Sequence, residues 1–123
     1  MAYLTDRKRA EGLGSAKSGT EHHWSMMVSA VAMAILVPLF IFTFGRILGA
    51  PYEEVIAHYS RPFPAIVAAL TIAAGMMHFK NGVQATIEDY MQGTARKVAI
   101  ILSICLCYAL AGVGLFAIAR IAL

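Results

Sequence analysis

Charge is what this chain of 123 residues has least of. Asp and Glu together number 7, and charged residues of both signs make up 14% of the sequence. A water-soluble domain carries about 25%. The few charges are also clustered, leaving three long apolar windows in a chain that is 59% hydrophobic, with mean hydropathy +0.69. That combination excludes a globule with a water-facing surface and points to an integral membrane protein. Cysteine is scarce too. Cys105 and Cys107 stand at i and i+2, on nearly opposite sides of a helix, so they neither chelate one metal nor pair with each other. They read as inert packing and carry no information about redox compartment. There is no internal repeat. There is also no basic patch interleaved with aromatics, and the net charge is only +3, so nucleic acid is not an expected partner.

What is present divides into a polar tail and one three-helix anchor domain. The tail, residues 1–23, is rich in Gly and Ser and carries Arg7, Lys8, Arg9 and Lys17. It is expected to order only by docking on a partner, and with the long span behind it does not read as a cleaved signal peptide. The first span is expected from about Ser25 to Leu48, with Trp24 at the interface and Pro38 introducing a kink. The segment Gly49-Ala50-Pro51 ends it. A loop from Tyr52 to Pro62 holds Glu53, Glu54, His58 and Arg61, and Pro62 and Pro64 open the second span, about Phe63 to Gln84. A polar link, Glu88 to Lys97, leads to a third span, about Val98 to Ile121. Each exceeds the ~20 residues needed to cross a bilayer.

Basic residues set the orientation. The tail and the Arg96-Lys97 link, with Lys80 nearby, outweigh Arg46, Arg61 and Arg120 on the other side. The positive-inside rule therefore puts the N-terminus in the cytoplasm and the C-terminus on the opposite side. Small residues in the spans, among them Ala68, Ala69, Ala73 and Ala74 in the second and Gly112, Gly114 and Ala117 in the third, allow close helix contact. Three helices enclose little volume. An obligate subunit, packed on other membrane helices, is the expected architecture.

One stretch, MMHFKNGVQATIEDY from Met76 to Tyr90, carries the ionisable groups that need explaining. His78 lies about fifteen residues into the second span, ~22 Å from its start. An ionisable group at that depth is costly and is a functional hypothesis by default. Its helical neighbours Thr71, Ala74, Gly75, Gly82 and Ala85 are all small, which leaves a slot for something flat and wide. Haem fits that description, with imidazole as an axial ligand and the second ligand coming from a partner. The competing reading is that His78 only hydrogen-bonds a neighbouring helix while the small residues serve helix packing. His22, His23 and His58 read as solvated or lipid-facing.

Asp89 and Tyr90 fall at the cytoplasmic boundary. A tyrosine hydroxyl there can donate to a quinone carbonyl, with the carboxylate orienting it or relaying a proton. Equally, the pair can be an aromatic-belt tyrosine beside helix-terminating acids. Ser25, Ser29 and Ser103 are further polar candidates, although hydroxyls in membrane helices commonly bond their own backbone.

The pattern His78-x-x-x-Gly82 followed by Asp89-Tyr90, in a three-span chain with a basic tail, resembles the hydrophobic membrane anchor family of succinate dehydrogenase (succinate:quinone oxidoreductase, respiratory complex II). The Gly12-Leu13-Gly14-Ser15-Ala16 stretch resembles bacterial members. The resemblance implies an all-α membrane protein of three transmembrane helices, packed with a partner membrane subunit in a haem-binding bundle of the bacterial inner membrane. His78 would be one axial ligand of haem b, with the other supplied by the cytochrome b subunit. Tyr90 would hydrogen-bond ubiquinone and Asp89 would support that site. Succinate oxidation would belong to flavoprotein and iron–sulfur subunits docked on the cytoplasmic side. Family members often carry an arginine near the haem propionates where this chain has Met27, so that contact would come from His22, His23 or the partner chain. Two other readings compete: a cofactor-free structural subunit of a respiratory complex, and a small multidrug or ion transporter. The transporter lacks an obvious coupling residue, because every Asp and Glu lies outside the spans or at their boundary.

Overall fold

A computed structural model describes residues 3–12 and 19–123. Within them the protein is entirely helical. The order is α1 (Asp6–Glu11), α2 (Gly19–Gly45), α3 (Tyr52–Tyr59), α4 (Pro62–Tyr90) and α5 (Gly93–Ala122). The helices α2, α4 and α5 are long and apolar enough to cross a membrane. At 1.5 Å per residue they measure about 40–45 Å, matching a bilayer with its headgroup layers.

The spans differ from the sequence expectation mainly at their ends. Helix α2 begins at Gly19, so His22 and His23 are helical and not part of an open tail. It runs through Pro38, whose missing N–H leaves the Ala34 carbonyl without its helical donor. It stops at Gly45, and Gly49 takes φ +81°, a left-handed turn that a residue with a Cβ would resist. Helix α4 starts with Pro62 and Pro64 in its first turn, where a missing N–H costs nothing. It then continues past Gln84 to Tyr90, with Gln84 Nε2 donating to Glu88 Oε1 at 3.0 Å. The link expected from Glu88 to Lys97 shrinks to Met91 and Gln92. Gly93, at φ +65°, makes the reversal into α5.

Two short helices were not expected. Helix α1 sits in the tail, with Thr5 Oγ1 capping the Lys8 N–H at 3.2 Å and an exposed Arg7–Glu11 ion pair at 2.9 Å. Helix α3 occupies the Tyr52–Pro62 loop. The tail positions Leu13–Lys17 lie outside the described residues.

Helix α4 is the central element. It packs against α2 on one side and α5 on the other, while α2 and α5 do not pack on each other. Between α4 and α5, a Cβ added to Gly114 would meet Ile72 Cγ2 at 3.2 Å, so this crossing depends on the absent side chain. The small core lies where α2 ends. Ile47, Tyr59 and Ala68 are buried there, with Phe40, Val55, Ile118 and Ile121 packed around them. Cys107 is buried and Cys105 exposed, the opposite facings expected at i and i+2.

Many of the large apolar side chains point outward. Val31, Ile35, Ile41, Phe42, Ile101, Leu102, Val113 and Phe116 are all exposed. The chain presents 9414 Å² of accessible surface, about half again the ~6,400 Å² of a compact soluble chain of this mass. A fold with this surface is stable only inside lipid or against other membrane helices.

Candidate functional site

Four polar side chains of the transmembrane region meet in one seam between α2 and α4. Ser29 Oγ lies 3.1 Å from His78 Nδ1, and Asn81 Nδ2 donates to Ser25 Oγ at 3.0 Å. Ser25 and Ser29 are one turn apart on α2, and His78 and Asn81 are nearly one turn apart on α4. Antiparallel helices therefore bring the two pairs into register. The same register holds a turn further on, where the Gly75 position faces Met33: an added Cβ would stand 3.6 Å from the Met33 methyl. Ser29 and Asn81 are buried, at 4% and 2% exposure. His78 is half-buried, one ring edge turned into the seam and the other left accessible.

Part of the small-residue face around His78 is thus used for helix packing. Gly75 lies against α2, and one ring nitrogen of His78 is spent on Ser29. A Cβ added at Gly82, one turn beyond His78, would meet nothing within 4 Å. The histidine bonds a neighbouring helix through Nδ1, as the packing reading expects. Lys80, two residues on, turns the other way and rests its ammonium over the Tyr108 ring of α5, 5.8 Å from the centroid.

Asp89 and Tyr90 form the cytoplasmic end of α4 by the expected orientation, and both are exposed, Tyr90 at 85%. Tyr90 lies ~18 Å along the axis from His78 because the helix is unbroken between them. Eleven residues after His78, Asp89 returns to within about 20° of the same face, whereas Tyr90 is turned away by about 120°. The stripe His78–Gly82–Ala85–Asp89 is therefore continuous. Among the described residues, neither Asp89 nor Tyr90 makes a side-chain hydrogen bond, so the phenol is free to donate to a ligand. This chain alone builds no pocket around it.

The remaining candidates fall elsewhere. Ser103 Oγ bonds the Ile100 carbonyl at 2.9 Å, as a lone hydroxyl in an apolar helix is expected to. His22 and His58 are half-buried, and among the described residues the shielded Nε2 of each has no partner. His58 lines a cavity of about 300 Å³ with Arg46 and Arg61 at the α3 end. His23 and Met27 are exposed. Asn81 escaped the sequence reading, although an amide inside an apolar span was a signal for it.

Among the described residues no three His, Cys, Asp or Glu side chains gather as a metal site. Fold and site together define a multi-pass membrane protein of three spans, with a buried polar seam between its first two spans.

The sequence comparisons agree with that class. The chain belongs to the succinate dehydrogenase/fumarate reductase transmembrane subunit family, whose model matches residues 1–115. It is 48% identical over 123 residues to the succinate dehydrogenase hydrophobic membrane anchor subunit of Paracoccus denitrificans, covering 100% of this chain and 95% of that protein. It is 26% identical over 98 residues to the protein of the same name from Rickettsia bellii (strain RML369-C), covering 78% of this chain and 77% of that one. No solved structure matches.

Proposed function

We propose that this membrane anchor subunit of succinate dehydrogenase supplies His78 as one axial ligand of a haem b, and Tyr90 with Asp89 to a ubiquinone site. It would anchor the flavoprotein and iron–sulfur subunits at the cytoplasmic face of the bacterial inner membrane, with its C-terminus periplasmic. The observation that carries the reading is the division of labour in the His78 ring, where Nδ1 is committed to Ser29 and Nε2 remains free. Open space at Gly82 supports it, since a porphyrin edge needs a bed without side chains. A haem so placed would carry single electrons between the soluble subunits and the quinone.

The chain's own residues then have separable tasks. His78 donates a lone pair and fixes the depth of the group in the membrane, while the cytochrome b subunit completes the coordination. The Tyr90 hydroxyl donates a hydrogen bond to a quinone carbonyl oxygen at the headgroup level, where protons from water reach it. Asp89, on the His78 face and one residue from Tyr90, orients that hydroxyl or relays the proton. The apolar outer surface packs on the cytochrome b subunit and lipid.

Reduced-minus-oxidised spectra of the assembled complex test the ligand assignment. His78→Ala should abolish or alter the b-type signal, and an unchanged signal rejects it. For the quinone role, Tyr90→Phe should impair quinone reduction while succinate oxidation by an artificial acceptor persists. Equal loss of both would reject that role.

A further inference from the structure

We infer that Ser29 is a positioning residue which locks His78 in the Nδ1–H tautomer and so keeps the Nε2 lone pair facing the open slot. The inference deepens the haem-ligand reading of His78 and rests on it.

A single proton decides the tautomer. Ser29 Oγ lies 2.9 Å from the Met26 carbonyl oxygen and 3.1 Å from His78 Nδ1. Two oxygens at 2.9 Å repel unless a proton lies between them, and a carbonyl has none to give. The Ser29 hydroxyl proton must therefore point at Met26. The hydroxyl has no second proton, so the contact with Nδ1 is bonded only if Nδ1 carries the hydrogen and Oγ accepts it. A neutral imidazole protonated at Nδ1 is unprotonated at Nε2. In the other tautomer the hydroxyl would have to leave Met26 and donate to Nδ1, setting two oxygens face to face at 2.9 Å with no proton between them, at a position where Ser29 is 4% exposed.

The same bond fixes the rotation of the ring. The neighbouring bond from Asn81 Nδ2 to Ser25 Oγ, 3.0 Å, ties the next turn of α4 to the same helix, so the ring cannot escape by a local shift of α4. Metal-bound histidines depend on such outer partners for tautomer and orientation. Here the partner is a buried hydroxyl on the adjacent span of the same chain. An acceptor on Nδ1–H also makes Nε2 a stronger electron donor, which favours the oxidised form of a bound iron.

The test uses the assembled complex carrying Ser29→Ala, Ser29→Thr or His78→Ala, with haem per complex and haem midpoint potential as readouts. Ser29→Ala should lower haem content and raise the potential. The expected shift is about threefold in the ferric-to-ferrous ratio at fixed potential, equal to about 30 mV at 59 mV per decade for one electron. Ser29→Thr, which keeps the hydroxyl, should restore both. If His78→Ala changes the haem signal but Ser29→Ala moves neither readout, the role of Ser29 is overturned and the ligand reading stands. An unchanged haem signal in His78→Ala overturns both. A shift that Ser29→Thr reproduces instead of reversing assigns the effect to packing and overturns the tautomer role.

Discussion

The Ser25–Asn81 contact allows a quantitative test of whether polar bonding helps to hold α2 against α4. Asn81 is 2% exposed and its amide donates to Ser25 Oγ at 3.0 Å. Interhelical hydrogen bonds in membrane proteins are worth ~0.6 kcal/mol on average, with an upper value of ~1.7. Asn81→Ala forfeits that bond and leaves a small void, for a total of about 1–2 kcal/mol. Ser25→Ala costs less, about 0.5–1 kcal/mol, because the stranded amide keeps its other donor and its carbonyl to rebond. The double variant should then be less destabilised than the sum of the singles by about 0.6 kcal/mol. Asn81→Leu fills the void and removes the need for a partner, so it should fall within about 0.5 kcal/mol of the parent. The assay is the detergent-denaturation midpoint of α2–α4 separation in the assembled complex, converted to free energy for all five proteins. Singles that add to within about 0.3 kcal/mol, or a Leu variant as damaged as the Ala variant, would refute the reasoning.

Three other outcomes follow from the geometry. A Cβ added at Gly82 meets nothing within 4 Å, so with Gly82→Leu complex assembly should persist while haem per complex falls, as measured by haem extraction; full haem content would mean that the slot lies elsewhere. Gly114→Ala presses on Ile72, with 3.2 Å to Cγ2, and should cost up to about 1 kcal/mol. Combining it with Ile72→Val should recover part of that loss in the same denaturation assay. Burial raises the Tyr59 phenol above its ordinary pKa of 10.0. On alkaline titration the unfolded chain loses this proton first. The Tyr59 contribution is therefore complete below 10.0 and lost as pH climbs through the higher folded value. Thermal midpoints of the complex should fall more steeply between about pH 9 and 11 for the parent than for Tyr59→Phe.

Long apolar runs made the three spans and their order legible, because a membrane helix must satisfy its backbone internally and cover itself with apolar side chains. The ends were less legible for a physical reason. Once a helix enters the headgroup layer, polar residues no longer stop it, and pairs such as Gln84–Glu88 extend α4 to Tyr90. Helix α3 was hidden because eight residues between prolines are too few to establish a period. His78 and its small neighbours could be read from one helix, since spacing along a helix fixes a face. Its partner could not. The bond to Ser29 joins residues 49 positions apart and depends on the register of α2 against α4, which no single sequence prints.

That difference bears on how the site is built. A histidine in a membrane span needs a reason to be tolerated, and two were weighed as rivals: a bond to the next helix, or a bound group. In the proposed reading they are successive. The bond at Nδ1 satisfies one half of the ring inside the protein, which lowers the cost of keeping an imidazole in the bilayer before any ligand arrives. Among the described residues the other nitrogen makes no hydrogen bond, and a Cβ added at Gly82, one turn on, would meet nothing within 4 Å. A histidine needed only for packing would gain from having both nitrogens bonded. One held by a single edge is stable enough to insert and still has a lone pair to offer when the partner helices close around it.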